Sequence, residues 1–113
     1  MKVGDYIRTK IGISKCIRVI PVRENSFMYE FDKEVYEEVN YLIASELEKY
    51  KSSPNIIDLI KVGDYVNGEC VSCITKNNYI EIGYGEELEG LHNEDIKSIV
   101  TKEQLESMEY KIW

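Results

Sequence analysis

Short runs in which apolar and polar residues alternate dominate this chain, and they fall into two series. In the first, Tyr6-Ile7-Arg8-Thr9 leads through Lys10-Ile11-Gly12 into residues 13–22, ended near Pro21, and then into residues 26–31. Aromatic and β-branched residues between turn-forming ones predict three meandering strands. In the second series Tyr65-Val66 passes through Asn67-Gly68 into residues 69–75 and, after Lys76-Asn77-Asn78, into residues 79–84. Asn-Gly reaches positive φ at low cost and is the strongest short hairpin signal.

The two series are related. Lys2-Val3-Gly4-Asp5-Tyr6 recurs letter for letter as Lys61-Val62-Gly63-Asp64-Tyr65. With the turn of the second copy taken as two residues shorter, Cys16-Ile17 falls on Cys73-Ile74. A repeated pentapeptide in so short a chain points to two related β units.

Between them, residues 33–51 carry Val35, Tyr36, Val39, Leu42, Ile43, Leu47 and Tyr50 at three- and four-residue steps. Glu37, Glu38, Glu46, Glu48 and Lys49 fall on the other side. This spacing predicts an amphipathic helix, with Asp32 capping its first turn and Pro54 beyond its end. Its apolar stripe must be covered, which makes it a candidate surface for a homodimer. Ile56-Ile57-Asp58-Leu59-Ile60 reads as a short strand or turn.

Residues 96–100 read as a strand. Thr101 and Gln104 form a capping box that opens a helix over 102–108, and residues 110–113 read as a last strand. Three meandering strands, a fourth, a helical turn and a fifth is the order of an SH3-like barrel. The expected fold is therefore α+β: a β unit plus helix over 1–55 and an SH3-like β unit over 56–113, packed as one globular body.

Composition narrows the function classes. The 113 residues are 43% apolar, enough for a core, and no run is long enough to span a membrane. The first residues lack an apolar leader and the three cysteines are an odd number, so the expectation is a cytoplasmic protein with reduced thiols. The net charge of −7 is unevenly spread: residues 1–23 hold six basic side chains and one acid, residues 24–113 eight basic and 20 acidic. An acidic surface repels nucleic acid and favours basic partners.

Catalytic constellations are weak. Cys70-Val71-Ser72-Cys73 spells C-x-x-C, but a zinc site would need Cys16 and His92 as well. A simple strand sends positions 70 and 73 to opposite faces, and Cys16 and Cys73 match as small core residues. His92 is the sole histidine and sits in an expected loop. Gly83, Gly85 and Gly90 lack phosphate-loop and Rossmann spacings. No cofactor, metal or enzymatic activity is expected.

Two surfaces stand out instead. Glu86, Glu87, Glu89, Glu94 and Asp95 place five acids within ten residues, flanked by Tyr79 and Tyr84. They form either a solvated loop or a projecting surface that imitates phosphates. Tyr29 and Tyr41 join Tyr79 and Tyr84 as candidates for partial exposure, while Tyr6, Tyr36, Tyr50 and Tyr65 fit the core pattern. Arg8, Lys10, Lys15 and Arg18 form the basic alternative, a nucleic-acid contact on the first unit.

The stretch from Ser53-Pro54-Asn55-Ile56-Ile57-Asp58-Leu59-Ile60 through Lys61-Val62-Gly63-Asp64-Tyr65-Val66-Asn67-Gly68, with the tail Ile96-Lys97-Ser98-Ile99-Val100-Thr101-Lys102-Glu103-Gln104, resembles small proteins carried by phages and prophages of clostridial Gram-positive bacteria. The resemblance implies an accessory protein of a mobile element acting inside a bacterial host. By analogy with short acidic phage proteins it implies an inhibitor of host defence, anti-CRISPR proteins among them. The resulting expectation is a non-enzymatic inhibitor that fills a basic groove on a host nucleic-acid-handling protein. A small β-barrel nucleic-acid-binding protein is the alternative.

Overall fold

The computed structural model describes residues 1–74, 80–83 and 89–108, without the side chains of Glu89, Ser107 and Met108. It is a small sheet-rich α+β fold with two antiparallel five-stranded sheets and few helices. The chain divides into two units, Met1–Leu59 and Ile60–Trp113.

In the first unit β1 (Tyr6–Thr9), β2 (Gly12–Arg23) and β3 (Ser26–Phe31) meander as their alternation predicts. Then come β4 (Tyr41–Ile43), the single-turn helix α1 (Ala44–Leu47), β5 (Lys51–Ser53) and a 3-10 turn, Ile56–Leu59. The sheet order is β4-β3-β2-β1-β5, so the last strand returns beside the first. Ile7, Cys16, Tyr29, Phe31, Val35 and Leu42 form its buried core.

The long helix expected over 33–51 is not there. Its apolar residues are used by a different local structure: Val35 donates its N–H to the Val39 carbonyl, Tyr36 and Val39 bridge, and Glu38 turns the chain at φ 58°. Tyr41–Ile43 then pairs with the edge of β3, Leu42 opposite Tyr29. Val35, Val39, Tyr41 and Ile43 are poor helix formers, and pairing with an open strand edge outweighs the three-to-four spacing. Asp32 caps no helix; its Oδ1 accepts the Lys15 N–H at 2.8 Å.

The second unit contains β6 (Tyr65–Val66), β7 (Glu69–Ile74), β8 (Ile80–Ile82), β9 (Glu89–Leu91), a 3-10 turn at Asn93–Asp95, β10 (Ile99–Val100) and α2 (Lys102–Met108). Its order, β10-β6-β7-β8-β9, is the same as the first sheet's read from the other side. The expected strand over 96–100 is reduced to its last two residues, and residues 110–113 lie outside the described part. Thr101 and Gln104 make the expected capping box: Gln104 N–H donates to Thr101 Oγ1 at 3.2 Å, and Thr101 N–H donates to Gln104 Oε1 at 2.7 Å.

The repeat is structural as well as textual. Gly4 and Gly63 both adopt positive φ, 95° and 97°, and Asp5 and Asp64 each accept the N–H three residues back, from Lys2 and Lys61. Gly4 and Asp5 exchange backbone bonds with Cys16; Gly63 and Asp64 do so with Val71. Cys16 therefore corresponds to Val71, not Cys73, and the second hairpin is four residues shorter. Both side chains are fully buried, and each is followed by a β-bulge, at Ile17 and at Ser72.

Candidate functional site

The loop carrying Glu94 and Asp95 is organised from the neighbouring hairpin. Asn67 sits in the turn between β6 and β7 at φ 52°. Its Nδ2 donates to the Asp95 carbonyl at 2.8 Å, and its Oδ1 accepts the N–H groups of Lys97 and Ser98 at 2.8 and 3.1 Å. Its own N–H donates to the Ser98 carbonyl. A single side chain thus satisfies three backbone groups that would otherwise need water. Beside this clamp lies an open cleft of about 670 Å³, bordered by Asn67, Leu91, Glu94 and Lys97.

Within the loop the two acids have different jobs. Asp95 Oδ2 accepts the His92 N–H at 3.0 Å and closes the 3-10 turn, and both Asp95 and Glu94 are exposed. Glu89 lies on β9 with its side chain undescribed. Glu86, Glu87, Tyr79 and Tyr84 lie outside the described residues.

The four basic candidates are not equivalent. Arg8 is buried, and its Nη1 donates to the Leu59 carbonyl at 2.8 Å, tying β1 to the closing turn of its unit. Lys10 is exposed in the β1–β2 turn, and Lys15 is exposed opposite Tyr6. Arg18 lies opposite Glu30 and forms an ion pair with it at 3.1 Å. Lys10, Lys15 and Arg18 all face outward, Arg18 with Glu30 beside it, and Arg8 alone of this set turns inward.

The bulge at Ser72 overturns the simple-strand reading of the C-x-x-C. Cys70 pairs with Tyr65, which stands between buried Asp64 and Val66; Cys73 pairs with Glu81, between buried Ile80 and Ile82. Alternation puts both cysteines on the outer face. Among the described residues no group of three or more His, Cys, Asp or Glu side chains could hold a metal ion. Cys16 is enclosed in the first core, where burial raises its thiol pKa above the usual 9.0, outweighing a smaller lowering by the Arg18 backbone.

The tyrosines sort differently from their pattern. Tyr29 is buried, while Tyr36 and Tyr41 are exposed and Tyr6, Tyr50 and Tyr65 half-buried. Desolvation, then the negative charge of Glu46, raises the Tyr36 hydroxyl above 10.0.

One surface was missed at the sequence level. Tyr29, Phe31 and Leu42 fill the inner face of the first sheet, so their strand neighbours face outward in two cross-strand rows. Ile20, Met28 and Ile43 form one row; Arg18, Glu30 and Tyr41 form the other. The alternation of residues 26–31 signalled half of this face, but assigning Tyr41 and Ile43 to a helix hid the rest.

Among the described residues no helix is long and apolar enough to cross a membrane. Comparison with known proteins finds no matching family model, no matching curated protein and no matching solved structure.

Proposed function

We propose that this is a non-catalytic docking protein: an inhibitor, carried by a phage or prophage, that seats the acidic surface of its second unit in the basic groove of a nucleic-acid-handling defence protein of the host, of which a CRISPR effector nuclease is one example. The observation that carries the reading is the charge difference between two copies of one scaffold. Residues 60–113 hold 11 acidic and five basic side chains, whereas residues 1–59 hold ten and nine. A common architecture with charge concentrated on one copy supports electrostatic recognition by that copy. The Asn67 clamp supports it further, because a loop already held in place spends less conformational entropy on binding.

Each unit, in this reading, is an SH3-like module: five strands, the fifth beside the first, with a one-turn helix before it. Such small β modules present loops and sheet faces to partners. Glu86, Glu87, Glu89 and Glu94, with Tyr79 and Tyr84, supply the contact surface, and Asp95 holds the loop that carries Glu94.

The test is competition. With the protein immobilised and a basic host nuclease bound to it, a short DNA duplex or single-stranded RNA should displace the nuclease as nucleic acid is titrated in. A partner retained at saturating nucleic acid contradicts phosphate mimicry.

A further inference from the structure

Asn67-Gly68 is the one Asn-Gly pair in the chain, and the hydrogen bonds around it hold a reaction in check. An asparagine side chain is open to attack at Cγ by the backbone nitrogen of the next residue, and a glycine there puts no Cβ in the way. Both residues are exposed, and a Cβ added at Gly68 would meet nothing within 4 Å, so water and hydroxide reach the pair. We propose that Asn67 is a deamidation site gated by its own clamp: the closed turn prevents the reaction, a transient opening permits it, and the product no longer holds residues 95–98.

The reaction is hydrolysis of an amide. Gly68 gives its N–H proton to solvent base, its nitrogen bonds to Asn67 Cγ, and the Cγ–Nδ2 bond breaks, the nitrogen leaving as ammonia with a proton from water. The resulting five-membered succinimide takes up one water at either carbonyl, which leaves aspartate or isoaspartate at position 67. One water is consumed overall, one ammonia is released, and nothing is oxidised or reduced.

Folding sets the rate. At φ 52° Asn67 is left-handed, and in that conformation the Gly68 nitrogen stands nearly opposite Cβ across the Cα–C bond. Ring closure needs the two nearly eclipsed, so the peptide between Asn67 and Gly68 must turn over. That motion breaks the turn in which Val66 pairs with Glu69. Swinging Cγ toward the nitrogen strips Asn67 of its bonds to the Asp95 carbonyl and to the Lys97 and Ser98 N–H groups. Either product lacks the Nδ2 donor, so an oxygen faces the Asp95 carbonyl where the donor stood at 2.8 Å. Isoaspartate also routes the chain through Cβ and lengthens the turn between Val66 and Glu69. Opening thus permits the conversion, and the conversion prevents reclosing. No partner is needed for any of these steps, so they stand apart from the docking role of the second unit.

The test is peptide mapping by mass spectrometry on the full chain, incubated at mildly alkaline pH with and without unfolding urea. The peptide containing Asn67 should gain the mass difference between an amide and an acid in urea. In the folded chain the gain should be at least about tenfold slower, because it waits on local opening as amide exchange does. Lys97→Pro removes one N–H from the clamp, and Ile96 at ψ 116° accepts a following proline. Shown folded by circular dichroism, that variant should deamidate faster than the wild type in native buffer. Asn67→Asp, which installs one product directly, should speed exchange of the Lys97 and Ser98 amides. If Lys97→Pro does not fold, the urea comparison and Asn67→Asp decide by themselves. No conversion in urea, equal rates with and without it, a folded Lys97→Pro no faster than the wild type, or unchanged exchange in Asn67→Asp would each overturn the proposal.

Discussion

Asp64 and Lys102 are joined by a hydrogen bond of 2.9 Å, from the Lys102 backbone N–H to Asp64 Oδ1. The same carboxylate accepts the Lys61 N–H through Oδ2 at 2.7 Å, so one buried side chain fixes both the repeated pentapeptide turn and the start of α2. Hydrogen bonds to a charged acceptor contribute about 1.5–3 kcal/mol each, and a buried N–H left without one is costly. Asp64→Ala should therefore destabilise the second unit by about 3 kcal/mol in chemical denaturation. Asp5→Ala, at the half-buried equivalent position, should cost less than half of that. Equal losses at the two sites would contradict the capping role given to Asp64.

Asn67 yields a second expectation. Asn67→Gly keeps a residue suited to φ 52° but deletes the three side-chain bonds to residues 95, 97 and 98. Stability should fall by about 1–3 kcal/mol, and amide exchange of Lys97 and Ser98 should speed up while that of β1 and β2 stays unchanged. Unaltered exchange at those two amides would show that the loop does not depend on the clamp.

Arg8 separates structure from recognition among the basic residues. Arg8→Ala removes a buried bond to the Leu59 carbonyl and should cost about 2–4 kcal/mol. Lys10→Ala and Lys15→Ala, at exposed positions, should shift the unfolding midpoint little. A denaturant series on the three variants reads the difference directly.

The buried thiol gives a pH dependence. Burial pushes the Cys16 thiol above its usual pKa of 9.0, so the folded chain holds its proton where the unfolded chain releases it. That contribution is fully present below pH 9.0 and is lost as pH rises through 9.0 toward the folded value. Stability should therefore fall as pH rises above about 9, and Cys16→Val should flatten that fall. Valine is the apt replacement because Val71 fills the same place in the second unit. Tyr36 adds a loss of the same sign only above 10.0. An identical slope in Cys16→Val would remove the thiol from the account.

How legible the molecule is in its sequence depends on whether a signal is local. The pentapeptide repeat, the Asn67-Gly68 hairpin and the Thr101 capping box all act within a few residues, and each takes the expected form. The segment from Val35 to Tyr50 misleads because its spacing also fits a turn followed by a strand. Only the open edge of β3, far away in sequence, decides between the two. The bulges at Ile17 and Ser72 insert a residue with no marker of their own. The repeat match moves from Cys73 to Val71 because the second hairpin is shorter than expected, and the bulge at Ser72 turns Cys70 and Cys73 to one face. Of the candidate surfaces, the acids are visible as charge, but Asp95 turning its carboxylate onto its own loop and Arg8 turning inward are tertiary facts.

The most direct measurement is affinity for a captured basic partner after charge reversal in each unit. Glu86, Glu87, Glu89 and Glu94 changed together to lysine should weaken binding by at least about a hundredfold and abolish its salt dependence. Glu34, Glu37 and Glu38 changed to lysine in the first unit should alter it by less than about threefold. Equal effects from the two sets, or none from the first, would contradict an acidic docking surface on the second unit.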